Sequence, residues 1–345
     1  MKQRQDTHQK VKRKHSWTAF ILIVAGSGIL IALAAFSVTR GASDISMPTV
    51  FDALFKFNSQ NKHHLIIHDI RLPRVIASAL VGAALAVAGA VMQGVTRNPL
   101  ADSGLMGLNA GAGFALAVSF AFFPSLSYLQ TILVCFVGAA SGAAMVMGVA
   151  SLRRGGVTPM RLILAGAAVS ALLTALSQGI ALCFDVTQDI MFWTVGGVSA
   201  SNWDQVAIMT PFILGALVCA IAVSRRISLV SLGEEVAKGL GANIKLVNAL
   251  CSVIVVMLAG ISVSVVGAVG FMGLIIPHIV RFAVGADYRL IVPTSAVLGS
   301  LLMVTADLAA RTMNPPVEIP IGALIAIIGV PFFLYLARRQ RRRTT

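Results

Sequence analysis

The sequence predicts an all-α, polytopic transmembrane bundle of ten helices per subunit, with one short amphipathic helix in a cytoplasmic loop. Three observations predict it. Of the 345 residues, 57% are hydrophobic and only 12% charged, about half the charge of a soluble domain. The polar residues gather between long apolar runs of the length a bilayer requires. Both ends of the chain are strongly basic. A soluble globular enzyme, a disordered chain and a disulfide-stapled secreted domain are excluded. The whole of 1–345 reads as a single transmembrane domain, with basic cytoplasmic tails at 1–16 and 338–345.

The apolar runs lie at about 17–38, 72–95, 105–123, 128–150, 161–184, 206–224, 246–269, 271–285, 290–309 and 319–337, each bounded by polar, Gly or Pro clusters. The first follows a basic stretch and could pass for a cleaved signal. At about 22 residues from Trp17 to Val38, it is longer than the roughly 7–15 residues of a signal core, and it reads as a retained helix. The eighth, Phe271 to Gly285, is shorter than the roughly 17 residues of a perpendicular span and contains Pro277, His278 and Arg281.

Charge settles the eighth run. The formal net charge is +14, much of it in the first 14 residues and in Arg338, Arg339, Arg341, Arg342 and Arg343. Basic ends flanking apolar spans fit positive-inside topology better than nucleic-acid binding, so both termini belong in the cytoplasm. That requires an even number of crossings: ten satisfies it and nine does not. The inner loops then hold Arg97, Arg153, Arg154, Arg161, Arg225, Arg226, Lys238, Lys245 and Arg289. The outer loops hold Asp44, Asp52, Asp69, Asp185, Asp189, Asp204 and Glu318. Arg40, Lys56, Lys62, Arg71, Arg74 and Arg311 fall on the outer side against the bias, and something should compensate them.

Small residues recur in the spans, among them Gly82, Gly89, Gly166, Gly299 and the Gly138/Gly142 GxxxG pair; such residues allow close helix approach where lipid offers no hydrophobic drive. Cys135, Cys183, Cys219 and Cys251 lie in or beside separate apolar runs without a CxxC pair, and read as small buried apolar residues rather than a metal or redox site. His63 and His64 read as part of a solvated outer loop.

No P-loop, HExxH or GxSxG motif occurs, so no ATP site, metal or cofactor is expected in this chain. Ionisable residues in the spans are few. His278, Arg281 and Asp307 lie near span ends or in the short eighth run, a poor basis for the proton relay of a secondary transporter. A transporter of this composition needs energy from a partner. The cytoplasmic stretch 224–245, SRRISLVSLGEEVAKGLGANIK, offers a place to receive it: Leu232, Val236 and Leu240 fall at i, i+4, i+8, with Glu234, Glu235 and Lys238 elsewhere on the turns and Gly239 and Gly241 as a stop. The spacing predicts a helix of two to three turns. Its acidic pair suits an anionic inner leaflet poorly, and an apolar ridge of this kind fits a groove on a cytosolic protein.

Five stretches carry a resemblance: IRLPRVIASALVGAALAVAGAVMQGVTRNPLADSGLMGLNAGAG (70–113), RLILAGAAVSALL (161–173), SLGEEVAKGLGA (231–242), GAVGFMGLIIPHIVRFAVGADYR (267–289) and ADLAARTMNPPVEIPIGALIAIIGVPFFLYLARR (306–339). Over nearly all of 65–338 the chain resembles the permease subunits of binding-protein-dependent ABC importers for iron(III)-siderophores, haem and vitamin B12. The resemblance implies a ten-helix permease in the cell membrane, paired with a second, identical or paralogous permease. Two cytosolic ATPase subunits bind below and a substrate-binding protein docks outside. Siderophore import is the expected task, with haem and vitamin B12 as rivals. It also implies roles for residues: Leu232, Gly233, Glu234, Ala237, Gly239, Leu240 and Gly241 as the ATPase coupling contact; Arg71, Arg74 and Arg311 as docking contacts for carboxylates of the binding protein; and the turn Asn98, Pro99, Leu100, with the loop Gly155 to Met160, beside the inner mouth of the path.

Overall fold

The computed structural model describes residues 2–41, 44–152, 159–315 and 317–344. Among them every regular element is helical: α1 (Lys2–Thr39), α2 (Met47–Phe55), α3 (Lys62–Leu65), α4 (Leu72–Thr96), α5 (Leu108–Phe122), α6 (Tyr128–Ser151), α7 (Pro159–Cys183), α8 (Thr187–Gly196), α9 (Trp203–Ser231), α10 (Glu234–Gly239), α11 (Ile244–Val255), α12 (Ile261–Val266), α13 (Met272–Val284), α14 (Tyr288–Thr312) and α15 (Ile321–Thr344). Two π-helical segments, Ile66–Arg71 before α4 and Val256–Gly260 between α11 and α12, join their neighbours into continuous rods.

Each of the ten apolar runs lies on a helix. Seven rods are long and apolar enough to cross a bilayer: Lys14–Thr39, Lys62–Thr96, Tyr128–Ser151, Met160–Cys183, Trp203–Ser231, Ile244–Val266 and Tyr288–Thr312. The other three runs form shorter apolar helices, Leu108–Phe122, Met272–Val284 and Ile321–Leu336. The eighth run is among them, and its ends have a backbone cause: Phe271 at φ 67° and Gly285 at φ 78° both turn left-handed, so the helix cannot extend either way.

The polar punctuation between runs caps the helices. Ser127 and Gln130 form a capping box at α6; the side chains of Asn202, Asn243 and Asp287 accept the Gln205, Leu246 and Arg289 backbone N–H groups at α9, α11 and α14. Bare N–H groups at helix ends are thereby satisfied from local sequence.

The rod carrying α4 is the axis of the bundle, with 83% of its most apolar stretch buried in the protein, against 11% for α1. Small residues make the axis possible. A Cβ on Gly89 would run into the Gly273 carbonyl oxygen of α13, and one on Gly82 into the Gly299 backbone of α14. Ser300 Oγ donates to Ala79 O at 2.7 Å across the α14–α4 crossing. The GxxxG pair works the same way on α6: Gly138 lies against Gly111, and Gly142 against Gly107, at the start of α5. Helix α1 lies outside on α14, where Gly26 meets Val297.

The cysteines divide. Cys135 and Cys251 are buried, as expected. Cys183 and Cys219, expected to be buried, are instead exposed on the outer surface of the bundle, because their helix faces are not covered by another helix of this chain.

Candidate functional site

The rods carry their chemistry at opposite ends. At one end the C-terminus of α1, the start of α4 and the end of α14 converge. Arg74, in the first turn of α4, donates from Nε to Asp307 Oδ1 at 2.8 Å, from Nη1 to Glu318 Oε1 at 2.8 Å and from Nη2 to Glu318 Oε2 at 2.9 Å. Its fork thus holds one carboxylate side-on and a second bidentately. Arg311 lies 3.5 Å from Asp307 Oδ2 and donates to Ser37 O at 2.9 Å, to Arg40 O at 3.1 Å and to the Ser37 hydroxyl. Arg71 donates to Val38 O at 2.7 Å. The last carbonyls of α1 are therefore capped by two cations, as the negative end of a helix dipole favours. The π-helical segment supplies the extra residue just before α4 that ends at Arg71.

Carboxylates of this chain thus compensate Arg74 and Arg311, while Arg71 is held by a helix-end carbonyl. Each of the three arginines is only 5% exposed and Asp307 is fully buried, so they are not the free surface charges that a docking role suggested. Burying them unpaired would be prohibitive. Glu318 is the partner that stays half-open, with its side chain 42% exposed. Its hydrogen bond to Arg74 holds its carboxyl below the usual glutamate range. Glu318 and Arg74 border a cleft of about 190 Å³, with Phe192, Ser199 and Pro320.

At the opposite end, the 224–245 stretch differs from the single helix of two to three turns that its spacing predicts. Residues through Ser231 extend α9, Gly233 breaks the chain at φ 120°, and α10 is only six residues, Glu234–Gly239, closed by Gly241 at φ 78°. The three ridge residues stay in the open. Leu232, Val236 and Leu240 are 65%, 50% and 61% exposed, while Ala237 beneath them is fully buried. Added Cβ atoms on Gly233, Gly239 or Gly241 would meet open space. Glu234 lies 3.7 Å from Arg97 and 4.0 Å from Lys238.

Arg97, left-handed at φ 51°, leads from α4 into the turn Asn98, Pro99, Leu100. The Asn98 side chain accepts the Leu100 N–H at 3.0 Å and its carbonyl accepts the Ala101 N–H at 3.1 Å, so the turn is built by asparagine's own hydrogen bonding. In the neighbouring loop, residues 155–158 lie outside the described residues, and Met160 is exposed on α7.

Sequence reasoning missed a polar link above this turn. Gln93 Nε2 donates to Gly273 O at 2.9 Å, and Arg281 Nη2 donates to Gln93 Oε1 at 3.2 Å and to Tyr288 Oη at 2.8 Å. Arg281 of the short eighth run is thereby tied to α4 and α14. Asp102 was missed too: its carboxyl accepts backbone N–H groups of Ser103 and Gly104, and burial pushes its pKa up. His278 is packed edge-on against Phe282 and Phe332, ring centroids 4.9 and 5.6 Å away. His64, expected in a solvated loop, is buried, with Nδ1 accepting the Asn58 N–H at 3.1 Å.

The described residues thus form an all-helical, multi-pass bundle with ionic and apolar features segregated to its two ends. The chain belongs to the FecCD transport family, which matches residues 29–339. It is similar to the iron(3+)-hydroxamate import system permease protein FhuB of Bacillus subtilis (strain 168), 50% identical over 95% of this chain and 85% of that one. It is also similar to the hemin transport system permease protein HmuU of Yersinia pestis, 34% identical over 91% of this chain and 94% of that one. Among solved structures, it resembles an inward-facing conformation of a metal-chelate type ABC transporter, with TM-score 0.80 and 28% identity over 92% of this chain and 98% of that one.

Proposed function

We propose that this chain is the membrane-spanning permease subunit of an ABC importer that carries an iron(III)-siderophore of the hydroxamate class inward. The cargo rests on the 50% identity to a hydroxamate permease, against 34% to a hemin permease. The observation that carries the mechanism is the exposure of Leu232, Val236 and Leu240 in and beside α10. Three large apolar side chains held out of the bundle on a charged segment are suited to a groove on a cytosolic ATPase. The coupling contact comprises Leu232, Gly233, Glu234, Ala237, Gly239, Leu240 and Gly241, with buried Ala237 setting the ridge on the bundle. The three shorter apolar helices complete ten crossings, which puts both termini and α10 in the cytoplasm and the arginine cluster outside.

In this reading a second permease, identical or paralogous, completes the path. A substrate-binding protein docks at the outer face, and Arg74 meets one of its carboxylates through the cleft beside Glu318. Arg71 and Arg311 hold that face in register from within. The turn at Asn98, Pro99 and Leu100 lies at the inner mouth and closes it. The cargo is not chemically altered. ATP hydrolysis on the partner subunits alternates the path between its outward and inward states.

The test is uptake of radiolabelled iron into proteoliposomes containing permease, ATPase subunits and binding protein. Ferric hydroxamate is expected to accumulate only with ATP. Uptake of haem or cobalamin but not ferric hydroxamate would reassign the cargo. Accumulation driven by a proton gradient without ATP would make the chain a secondary transporter.

A further inference from the structure

The guanidinium of Arg74 has two unlike partners. Asp307, bonded to Nε, is fully buried on α14 and cannot leave without stranding a charge. Glu318, bonded to Nη1 and Nη2, sits on the segment between α14 and α15 with its side chain 42% exposed at the cleft. A partly solvated carboxylate exchanges its partner cheaply, because water screens the pair and rehydrates the freed oxygens. A buried one does not. Arg74 and Glu318 both line that cleft.

We infer that Glu318 is an internal stand-in for a carboxylate of the docking partner: it occupies the outward edge of Arg74 until an incoming acidic side chain replaces it. The exchange releases the segment leading into α15. This deepens the docking role proposed above for Arg74 and rests on it.

Charge supports the exchange. The cluster contains Arg71, Arg74 and Arg311 against Asp307 and Glu318, an excess of one positive charge. When Glu318 swings out the excess becomes two, which draws an acidic group toward the cleft. Geometry says what the exchange would move. Glu318 is followed by Ile319, whose N–H donates to Ala310 O at 3.0 Å, and by Pro320, which leads into α15. With Glu318 released, that backbone bond still ties the neighbouring residues to α14. A partner binding at the surface would thus change the anchoring of a membrane helix without touching it. Arg74 itself stays in place throughout, because Asp307 keeps Nε.

The test uses the assembled permease and ATPase complex in nanodiscs and the importer's substrate-binding protein loaded with ferric hydroxamate. Glu318→Gln removes the internal competitor and is expected to tighten docking by roughly tenfold, whereas Arg74→Gln weakens it. Glu318→Asp keeps the charge but shortens the reach and falls between wild type and Glu318→Gln. In the unmodified complex, docking is expected to speed hydrogen exchange at the Val317 and Ile319 amides. Unchanged or weaker docking by Glu318→Gln, with Arg74→Gln still impaired, overturns the stand-in role and leaves Arg74 as a docking contact. Docking indifferent to Arg74→Gln removes the docking role and this inference together. If Glu318→Gln does not fold, the exchange measurement decides: slowed or unchanged exchange on docking overturns the inference.

Discussion

The two ends of the bundle handle interaction chemistry in opposite ways. At the arginine end, three guanidiniums and Asp307 are drawn inside and held by one another, by Glu318 and by the last carbonyls of α1. At the α10 end, three large apolar side chains stand in the open, and Glu234 pairs with Arg97 and Lys238 at exposed positions. An ionic site must be organised before a partner arrives, since a buried charge without its ligands is too costly. An apolar ridge needs only a stiff support, which α9 and the buried Ala237 provide. One end is a closed electrostatic device with a single loose member. The other is an open apolar surface.

The sharpest break in that contrast comes from Asp307. Asp307→Ala leaves two buried guanidiniums facing each other and is expected to cost about 3–5 kcal/mol, read as a large fall in the thermal unfolding midpoint of the purified permease. A midpoint within error of wild type would mean that the cluster is not a closed unit.

Acid sharpens the role of the loose member. Arg74, and at longer range Arg311, hold the Glu318 carboxyl below its usual range. The stabilisation Glu318 adds is therefore fully present above the unfolded glutamate value of about 4.3, and is lost as pH falls through the lowered folded value. The midpoint difference between wild type and Glu318→Gln should be constant from neutral to mildly acidic pH and shrink only in stronger acid. A difference that already fades near neutrality would contradict the pairing.

The smallest effect belongs at the open end. Arg97 and Glu234 approach at 3.7 Å with side chains 41% and 48% exposed, so Arg97→Gln should change stability by less than about 1 kcal/mol. A larger loss would show that the α10 end is also held by its charges.

Much of this architecture is legible in the sequence because its signals are local. Apolar runs mark helices, and the Ser, Asn and Asp residues between them become caps. Glycines spaced for close approach do meet neighbouring backbone, and Leu232, Val236 and Leu240 do share an exposed ridge. Arg71, Arg74 and Arg311 stood out as charges in need of a partner, and the one expected was a docked protein, whereas Arg74 and Arg311 have carboxylates of this chain beside them. Their identity was not legible: Asp307 and Glu318 lie 233 and 244 positions from Arg74, and only the close crossing of α4 and α14 through Gly82 and Gly299 brings them together. The length of α10 was misread because helical spacing continues across Gly233, while the backbone there does not. Cys183 and Cys219 looked buried because apolar composition in a membrane chain does not distinguish a face toward helices from a face toward lipid.

The central claim is that energy enters at the open end through the α10 ridge. The direct measurement compares wild type with a Leu232→Ser/Leu240→Ser double variant for ATPase co-purification, thermal stability and ATP-driven uptake in proteoliposomes. Both side chains are exposed, so stability should stay within about 0.5 kcal/mol of wild type, while ATPase association and uptake fall together by at least about tenfold. Full uptake by a stably folded double variant would contradict the account.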